Sequence, residues 1–407
     1  MATIQIKNLG PIKDTGLINL TDVLLVIGRQ SSGKSTFMKV LCFCRWIEKK
    51  IMTSFDNTIQ AYTHNKRFTR DLKQFYRIDE MYFKEDTEII YDGDVVTISL
   101  TGVDQNAKIN RKLEAWEDRY NSKLSYIPAE RNLVSAVQNI NDTYKAKERD
   151  SIFNFIQEWY EAKDTYGSDN KLTLSLTDDF KYYSDKGLDY VVLPNGKPIT
   201  SFYASSGVQS IMPIDVMTDY IMGVVGKVVK FSMTDLMNRL MESLDTDVRN
   251  EIVHGAHEVT EEELAPIREK MKYQSAQLFI EEPEQNLYPD AQRKLVQNLI
   301  RHLKAVKHRS MVVLTTHSPY VLSILNVLIA DAAAVEKKPG DERLKDVVDE
   351  STLLPTDAFS AYFINKDGVF EDIKDMEIPM LSGINLDSVS DWVDEHVGRI
   401  NEILYAE

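Results

Sequence analysis

The run Gly28-Arg29-Gln30-Ser31-Ser32-Gly33-Lys34-Ser35-Thr36 constrains this chain more than any other feature. It satisfies G-x-x-x-x-G-K-[ST], a loop whose glycines allow a tight turn that aims backbone N–H groups at phosphate oxygens. In such a loop Lys34 reaches the β- and γ-phosphates of ATP and the Ser35 hydroxyl ligates Mg²⁺. The flanks agree with that reading. Asp22 to Ile27 is a short apolar run, as a strand buried on both faces requires, and Phe37 to Leu41 opens a helix. The positive end of that helix faces the loop. An α/β fold is therefore expected, with Gly28, Ser31, Ser32, Gly33, Lys34, Ser35 and Thr36 as the nucleotide-contacting residues and ATP and Mg²⁺ as the cofactors.

Two later segments supply what hydrolysis needs. Gln277-Leu278-Phe279-Ile280-Glu281-Glu282-Pro283 is an apolar strand that ends in two carboxylates. Glu281 is expected to hold the metal and Glu282 to orient and deprotonate the attacking water. Arg309 to Pro319 is another buried strand with a polar end, Thr315-Thr316-His317-Ser318. His317 there would donate to the γ-phosphate and sense its loss. Tyr203 to Gln209 places small residues, Ser205, Ser206 and Gly207, before a helix, where free N–H groups can form an anion site or a plain N-cap.

Together these segments resemble the ATP-binding-cassette superfamily of P-loop NTPases, and most of all its SMC-like and overcoming-lysogenization-defect (OLD) bacterial ATPases. Gly28 to Thr36 is similar to Walker A and Leu278 to Glu282 to Walker B. Glu282-Pro283-Glu284-Gln285-Asn286-Leu287-Tyr288-Pro289 resembles the run that leads into the D-loop. Thr316-His317-Ser318-Pro319 with Asn326 resembles the switch-histidine motif, and Ala204-Ser205-Ser206-Gly207 a degenerate signature motif. Tyr126 to Arg131 is similar to a segment such proteins carry before their helical region. The chain departs from the pattern at Gln30, where Asn is frequent, and at Glu281, where Asp is usual. It also lacks the second Gly and the Gln of the transporter signature. No Gln-loop is evident; Arg131 stands near that place.

The resemblance implies an ABC-type ATPase head with a mixed or parallel core sheet flanked by helices. It further implies a head-to-tail homodimer in which each ATP lies between Walker A of one subunit and the signature loop of the other. Ser205, Ser206 and Gly207 would then touch the γ-phosphate bound to the partner, and hydrolysis through Glu282 would reopen the dimer. On this basis residues 1–45, 124–224 and 273–330 are expected to form the ATPase core, 46–123 an inserted helical/β subdomain, 225–272 a helical arm, and 331–407 a hairpin-and-helix appendage. The resemblance points to a phage-defence switch that controls a separate effector protein. An SMC-like DNA-repair ATPase and an OLD-type ATP-regulated nuclease are the alternatives. A nuclease domain of that type requires a strand-end Glu and a later Asp-x-Asp, and no Asp-x-Asp follows a strand after Asn326. An importer ATPase is disfavoured by the degenerate signature and the long insertion.

Composition narrows the classes. A formal net charge of −15 argues against a surface coated for bulk nucleic-acid binding, although Lys66, Arg67, Arg70, Lys73 and Arg77 gather positive charge locally. Two cysteines, Cys42 and Cys44, fall on different faces of the first helix, so neither a disulfide nor a metal pair is expected and a reducing cytoplasm is implied. The N-terminus lacks the pattern of a signal peptide, and no apolar run is read as approaching a membrane span. His254 and His257 lack a third metal ligand. Helices are expected over 33–75, 111–122, 133–165, 208–245 and 258–274, and hairpins over 171–203 and at Phe359 to Ile373.

Overall fold

The computed structural model describes residues 2–53, 58–137, 139–144, 149–177, 179–227, 237, 240–241, 244, 246–254, 256–257, 259–306, 309–374 and 380–381. Its centre is a six-stranded sheet built from β4 (Val23–Gly28), β8 (Ser122–Ile127), β13 (Ser275–Glu281), β14 (Met311–Thr316), β15 (Phe359–Ile364) and β16 (Phe370–Asp372). The spatial order is β16-β15-β4-β14-β13-β8, and all but β16 run parallel. Parallel strands are covered on both faces, which explains why β4, β13, β14 and β15 are buried at every residue. Alternate side chains divide between two cores. Leu25, Leu278 and Leu314 enter one; Val26, Phe279 and Val313 enter the other.

The second core lies beneath an antiparallel sheet. It comprises β1 (Thr3–Leu9), β2 (Ile12–Asp14), β3 (Ile18–Asn19), β5 (Phe83–Asp92), β6 (Val96–Thr101) and β7 (Lys108–Arg111), ordered β2-β1-β5-β6-β7 with β3 on β1. Between the two sheets runs α1 (Lys34–Thr53), which buries Phe37, Leu41, Ile47 and both free cysteines. Helix α2 (Arg67–Tyr76) packs on the same side through Phe68, Leu72 and Tyr76.

The first core gathers α3 (Ser151–Lys163), α4 (Ser206–Gly223), α7 (Pro289–Ala305) and α8 (Pro319–Lys337). Helices α5 (Thr246–Val253) and α6 (Glu261–Met271) lie in the segment expected to be a helical arm. A capping box between Thr260 and Glu263 starts α6, and Pro266 lies inside it. A small antiparallel sheet, β12-β11-β10-β9, uses β9 (Leu172–Thr173), β10 (Lys181–Asp185), β11 (Leu188–Val192) and β12 (Pro198–Thr200). It matches the hairpins expected over 171–203.

Four expectations need revision. Residues 111–122 hold only a short 3₁₀ turn, Trp116–Asp118, because the segment closes β7 and leads directly into β8. Segment 46–123 pairs its β5 with β1 along six registered residues, so it shares a sheet with the N-terminus. The hairpin at Phe359 to Ile373 is present, but β15 is a full member of the core sheet, paired in parallel with β4 from Phe359 to Ile364. The helix expected from about Leu386 to Tyr405 lies outside the described residues. Finally, among the described residues α8 is long and apolar enough to cross a membrane. Its high hydropathy comes partly from alanines, while Val321, Leu322, Leu325, Leu328 and Ile329 bury one face in the first core.

One buried acid in that core yields a pH-dependent prediction. Asp215 on α4 accepts hydrogen bonds from Ser175 N and Oγ (both 2.7 Å) and Asn298 Nδ2 (3.1 Å). Burial outweighs these bonds and pushes its carboxyl up to about 6. A raised folded-state value means that its contribution to stability is full below the unfolded value near 4 and is lost as pH rises through about 6. The stability difference between the wild type and Asp215→Asn should therefore shrink from pH 4 to pH 7, by on the order of 3 kcal/mol, in urea melts at stepped pH.

Candidate functional site

The phosphate loop leaves the carboxyl end of β4 and turns into α1. Ser31 (φ 60°) and Gly33 (φ 110°) take left-handed conformations, and a Cβ on Gly33 would come 2.8 Å from Ile12 Cγ1. Lys34 is 6% exposed and folds back over the loop, donating to Gly28 O (2.9 Å) and Arg29 O (2.8 Å). Burial lowers the affinity of its amine for the proton, against the opposing pull of Glu282, Glu284 and Glu281. The cation expected to meet phosphate thus already lies in the field of the strand-end carboxylates. Ser32 Oγ is buried with no hydrogen-bond partner among the described residues.

Strand β14 lies between β4 and β13, which sets Glu281 about 10 Å across the sheet from the phosphate-loop strand. Glu281 is 5% exposed; its Oε2 accepts from Ala129 N (3.3 Å), and its buried Oε1 accepts no hydrogen bond among the described residues. Thr315 Oγ1, paired in register with Glu281, is likewise orphaned. Such oxygen donors at a strand end suit a hard divalent cation such as Mg²⁺.

Glu282 follows in a left-handed conformation (φ 45°), with its N–H on Thr315 O (2.8 Å). A non-glycine residue held there is the backbone irregularity that active sites tend to carry. The structure brings His317 to it: His317 Nδ1 lies 3.7 Å from Glu282 Oε1 and 3.6 Å from Glu284 Oε1. Glu284, to which the sequence reading gave no role of its own, is 7% exposed and accepts the His317 N–H (2.9 Å). It fixes the turn on which the histidine stands. Asn326, expected beside this motif, instead exchanges two hydrogen bonds with the backbone of Leu381.

Arg131 has a clear structural task. Fully buried, it donates from Nε to Ser210 O (3.0 Å), from Nη1 to Glu281 O (2.8 Å) and from Nη2 to Glu282 O (2.8 Å). One guanidinium thereby ties α4 to the strand-end turn. Burial lowers its pKa to about 10, against the pull of Glu284, Glu282 and Glu281. Asn286 makes a second tie, through Nδ2 to Ser210 Oγ (2.9 Å), and a Cβ on Gly207 would come 3.1 Å from Asn286 O. Ser205 and Ser206 are exposed at the start of α4, and Ser205 makes no side-chain cap. Among the described residues no hydrogen bond joins Ser205 to Gly207 with the Gly28 to Thr36 loop.

The basic cluster is largely engaged within the chain. Arg67 and Arg70 pair with Asp71, Lys73 with Glu80, and Arg77 with Asp150. No group of three or more His, Cys, Asp or Glu side chains suited to a metal occurs among the described residues.

A family model described as an AAA ATPase domain matches residues 256–322, a stretch that contains Glu281, Glu282 and His317. Among solved structures the chain is similar to the SMC head domain from Thermotoga maritima (11% identity, 79% of this chain and 90% of that one, TM-score 0.34). It is also similar to the Smc head domain with an extended coiled coil from Pyrococcus furiosus, bound to the C-terminal domain of ScpA (10% identity, 97% and 99%, TM-score 0.38). A third is an ATP-binding cassette of an ABC transporter in its ADP conformation (9% identity, 98% and 99%, TM-score 0.34). No curated protein matches. The phosphate loop on a parallel sheet with strand-end acids gives an α/β P-loop NTPase fold, and residues 256–322 match the AAA ATPase domain model.

Proposed function

We propose that this chain is an ATP-hydrolysing switch that closes as a head-to-tail homodimer on ATP and controls a separate effector, a nuclease or toxin, in bacterial antiviral defence in the cytoplasm. One observation carries the reading: the site is divided. Lys34, Glu281, Glu282 and His317 lie toward the ends of three neighbouring strands, whereas Ser205 and Ser206, expected with Gly207 to form a second phosphate-binding feature, are exposed at the start of α4. In a head-to-tail pair that helix start would complete the partner's site. Mg²⁺, held by Ser35 and Glu281, would neutralise charge on the β- and γ-phosphates. Glu282 would take the proton of the attacking water, and His317 would donate to the γ-phosphate. Loss of that phosphate would release the pair.

Light scattering with Glu282→Gln tests the reading. The variant should be monomeric without nucleotide and dimeric with ATP and Mg²⁺, with hydrolysis reduced about a hundredfold or more. Ser205→Arg should abolish the dimer while leaving ATP bound. A Glu282→Gln chain that binds ATP and stays monomeric would overturn the composite site, and wild-type turnover would remove Glu282 from its role. Co-purification with the trapped dimer is the route to the effector.

A further inference from the structure

A cavity of about 460 Å³ lies beyond the edge strand β8, between α1, α2 and α3, on residues that ATP hydrolysis does not use. Its volume is in the range that holds a small ligand. One wall is aromatic. Phe43 and Trp46 are nearly parallel (5.8 Å, 20°), and Tyr76 meets Tyr126 edge to face (5.2 Å, 70°). Trp46 remains 37% exposed although it is a large apolar side chain.

Charged side chains also line the cavity. Glu158 is nearly buried, accepts from Ser125 Oγ (2.5 Å) and lies 4.0 Å from Lys123 Nζ. Burial pushes its carboxyl up, against the pull of Lys123. Lys49 and Arg149 also reach the cavity, as does Asp71, which is already paired with Arg67 and Arg70.

This combination selects a ligand class. An apolar molecule would strand Glu158 and Lys123 without water. A simple anion would leave the rings unfilled and face two carboxylates. A triphosphate would bring more negative charge than three cations can offset, because Glu158 and Asp71 line the same cavity and Glu161 already pairs with Lys123 at 3.4 Å. We propose that the cavity is a second nucleotide site, distinct from the phosphate loop, that takes a nucleoside monophosphate. The base lies against Trp46 and its amino or ring N–H group donates to Glu158, while Lys49, Lys123 and Arg149 hold the single phosphate.

The site is placed to influence hydrolysis. Tyr126, which lines the cavity and is 4% exposed, stands on β8 in register with Phe279 of β13, two residues before Glu281. The cavity is thus one side chain from the acid expected to hold the metal.

Titration calorimetry of the Lys34→Ala chain with AMP, GMP, CMP and UMP tests the assignment with the phosphate loop disabled. At least one monophosphate should bind saturably at one site. Trp46→Ala in that background should weaken it at least tenfold, and Lys123→Met should weaken the monophosphate more than the matching nucleoside. Circular dichroism establishes that each variant is folded. No saturable heat from any of the four, or affinity unchanged by Trp46→Ala, overturns the site. This readout involves neither hydrolysis nor dimerisation, so it stands or falls separately from the switch.

Discussion

Replacing Lys34 by alanine is expected to weaken ATP binding by about a hundredfold or more, some 2.7 kcal/mol, while leaving the fold intact. The reasoning rests on what the ammonium does without nucleotide. It is buried, donates among the described residues to two carbonyls of its own loop, and carries a lowered pKa because burial disfavours its charge. A desolvated cation aimed at loop carbonyls contributes little net stability, since much of its attraction offsets the cost of leaving water. Its gain comes when phosphate oxygens replace those carbonyls. Thermal melts of Lys34→Ala without nucleotide should therefore lie within a few degrees of wild type, while the ATP-induced rise in melting temperature disappears. A variant that keeps that ATP-induced rise would show that the loop does not bind through Lys34.

The second large effect is structural. Arg131→Met keeps most of the side-chain volume but removes the donors to Ser210 O, Glu281 O and Glu282 O. Hydrogen bonds from a charged group to buried carbonyls are worth about 1.5–3 kcal/mol each, and each orphaned carbonyl keeps its desolvation cost. A loss of about 3–5 kcal/mol in urea unfolding is expected, a scale typical of breaking a buried charged network. Hydrolysis should fall as well, because the turn that holds Glu282 in its left-handed conformation loses its anchor. Arg131→Lys, with one ammonium in place of a planar fork, should recover only part of the stability. If Arg131→Met unfolds at the wild-type midpoint, the three carbonyls have found other donors and the proposed anchor is wrong.

Much of the site was legible because its chemistry is local in sequence. The phosphate loop, the acids after β13 and the histidine after β14 each sit at the end of an apolar run, and parallel pairing brings such ends together. What was not legible depends on long-range partners. Arg131 could be placed near the absent Gln-loop, but its anchoring task emerges only when Ser210, Glu281 and Glu282 surround it. Glu284 stood in plain view in Glu282-Pro283-Glu284, but only its burial and its bond to His317 N separate it from a solvated acid. Residues 359–364 read as one half of a hairpin, since nothing local says that the other side of that strand will pair with β4. The mostly apolar run Phe359-Ser360-Ala361-Tyr362-Phe363-Ile364 was the available signal, because a surface hairpin would alternate. Asn326 misled for the same reason: a polar residue near a motif was assigned to it, although its partner is Leu381.

The pairing of β15 with β4 also bears on how the chain is made. Strand β4 (Val23–Gly28) is synthesised long before both its neighbours, β14 (Met311–Thr316) and β15 (Phe359–Ile364). At ribosomal speeds of about 5–20 residues per second, an apolar strand with two open edges must wait tens of seconds for its mates. During that interval the nascent chain presents a pairing surface that any other strand could occupy. Truncations that end before Phe359 should therefore yield aggregates in place of a smaller folded domain, and the nucleotide loop becomes competent only after β15 has been made.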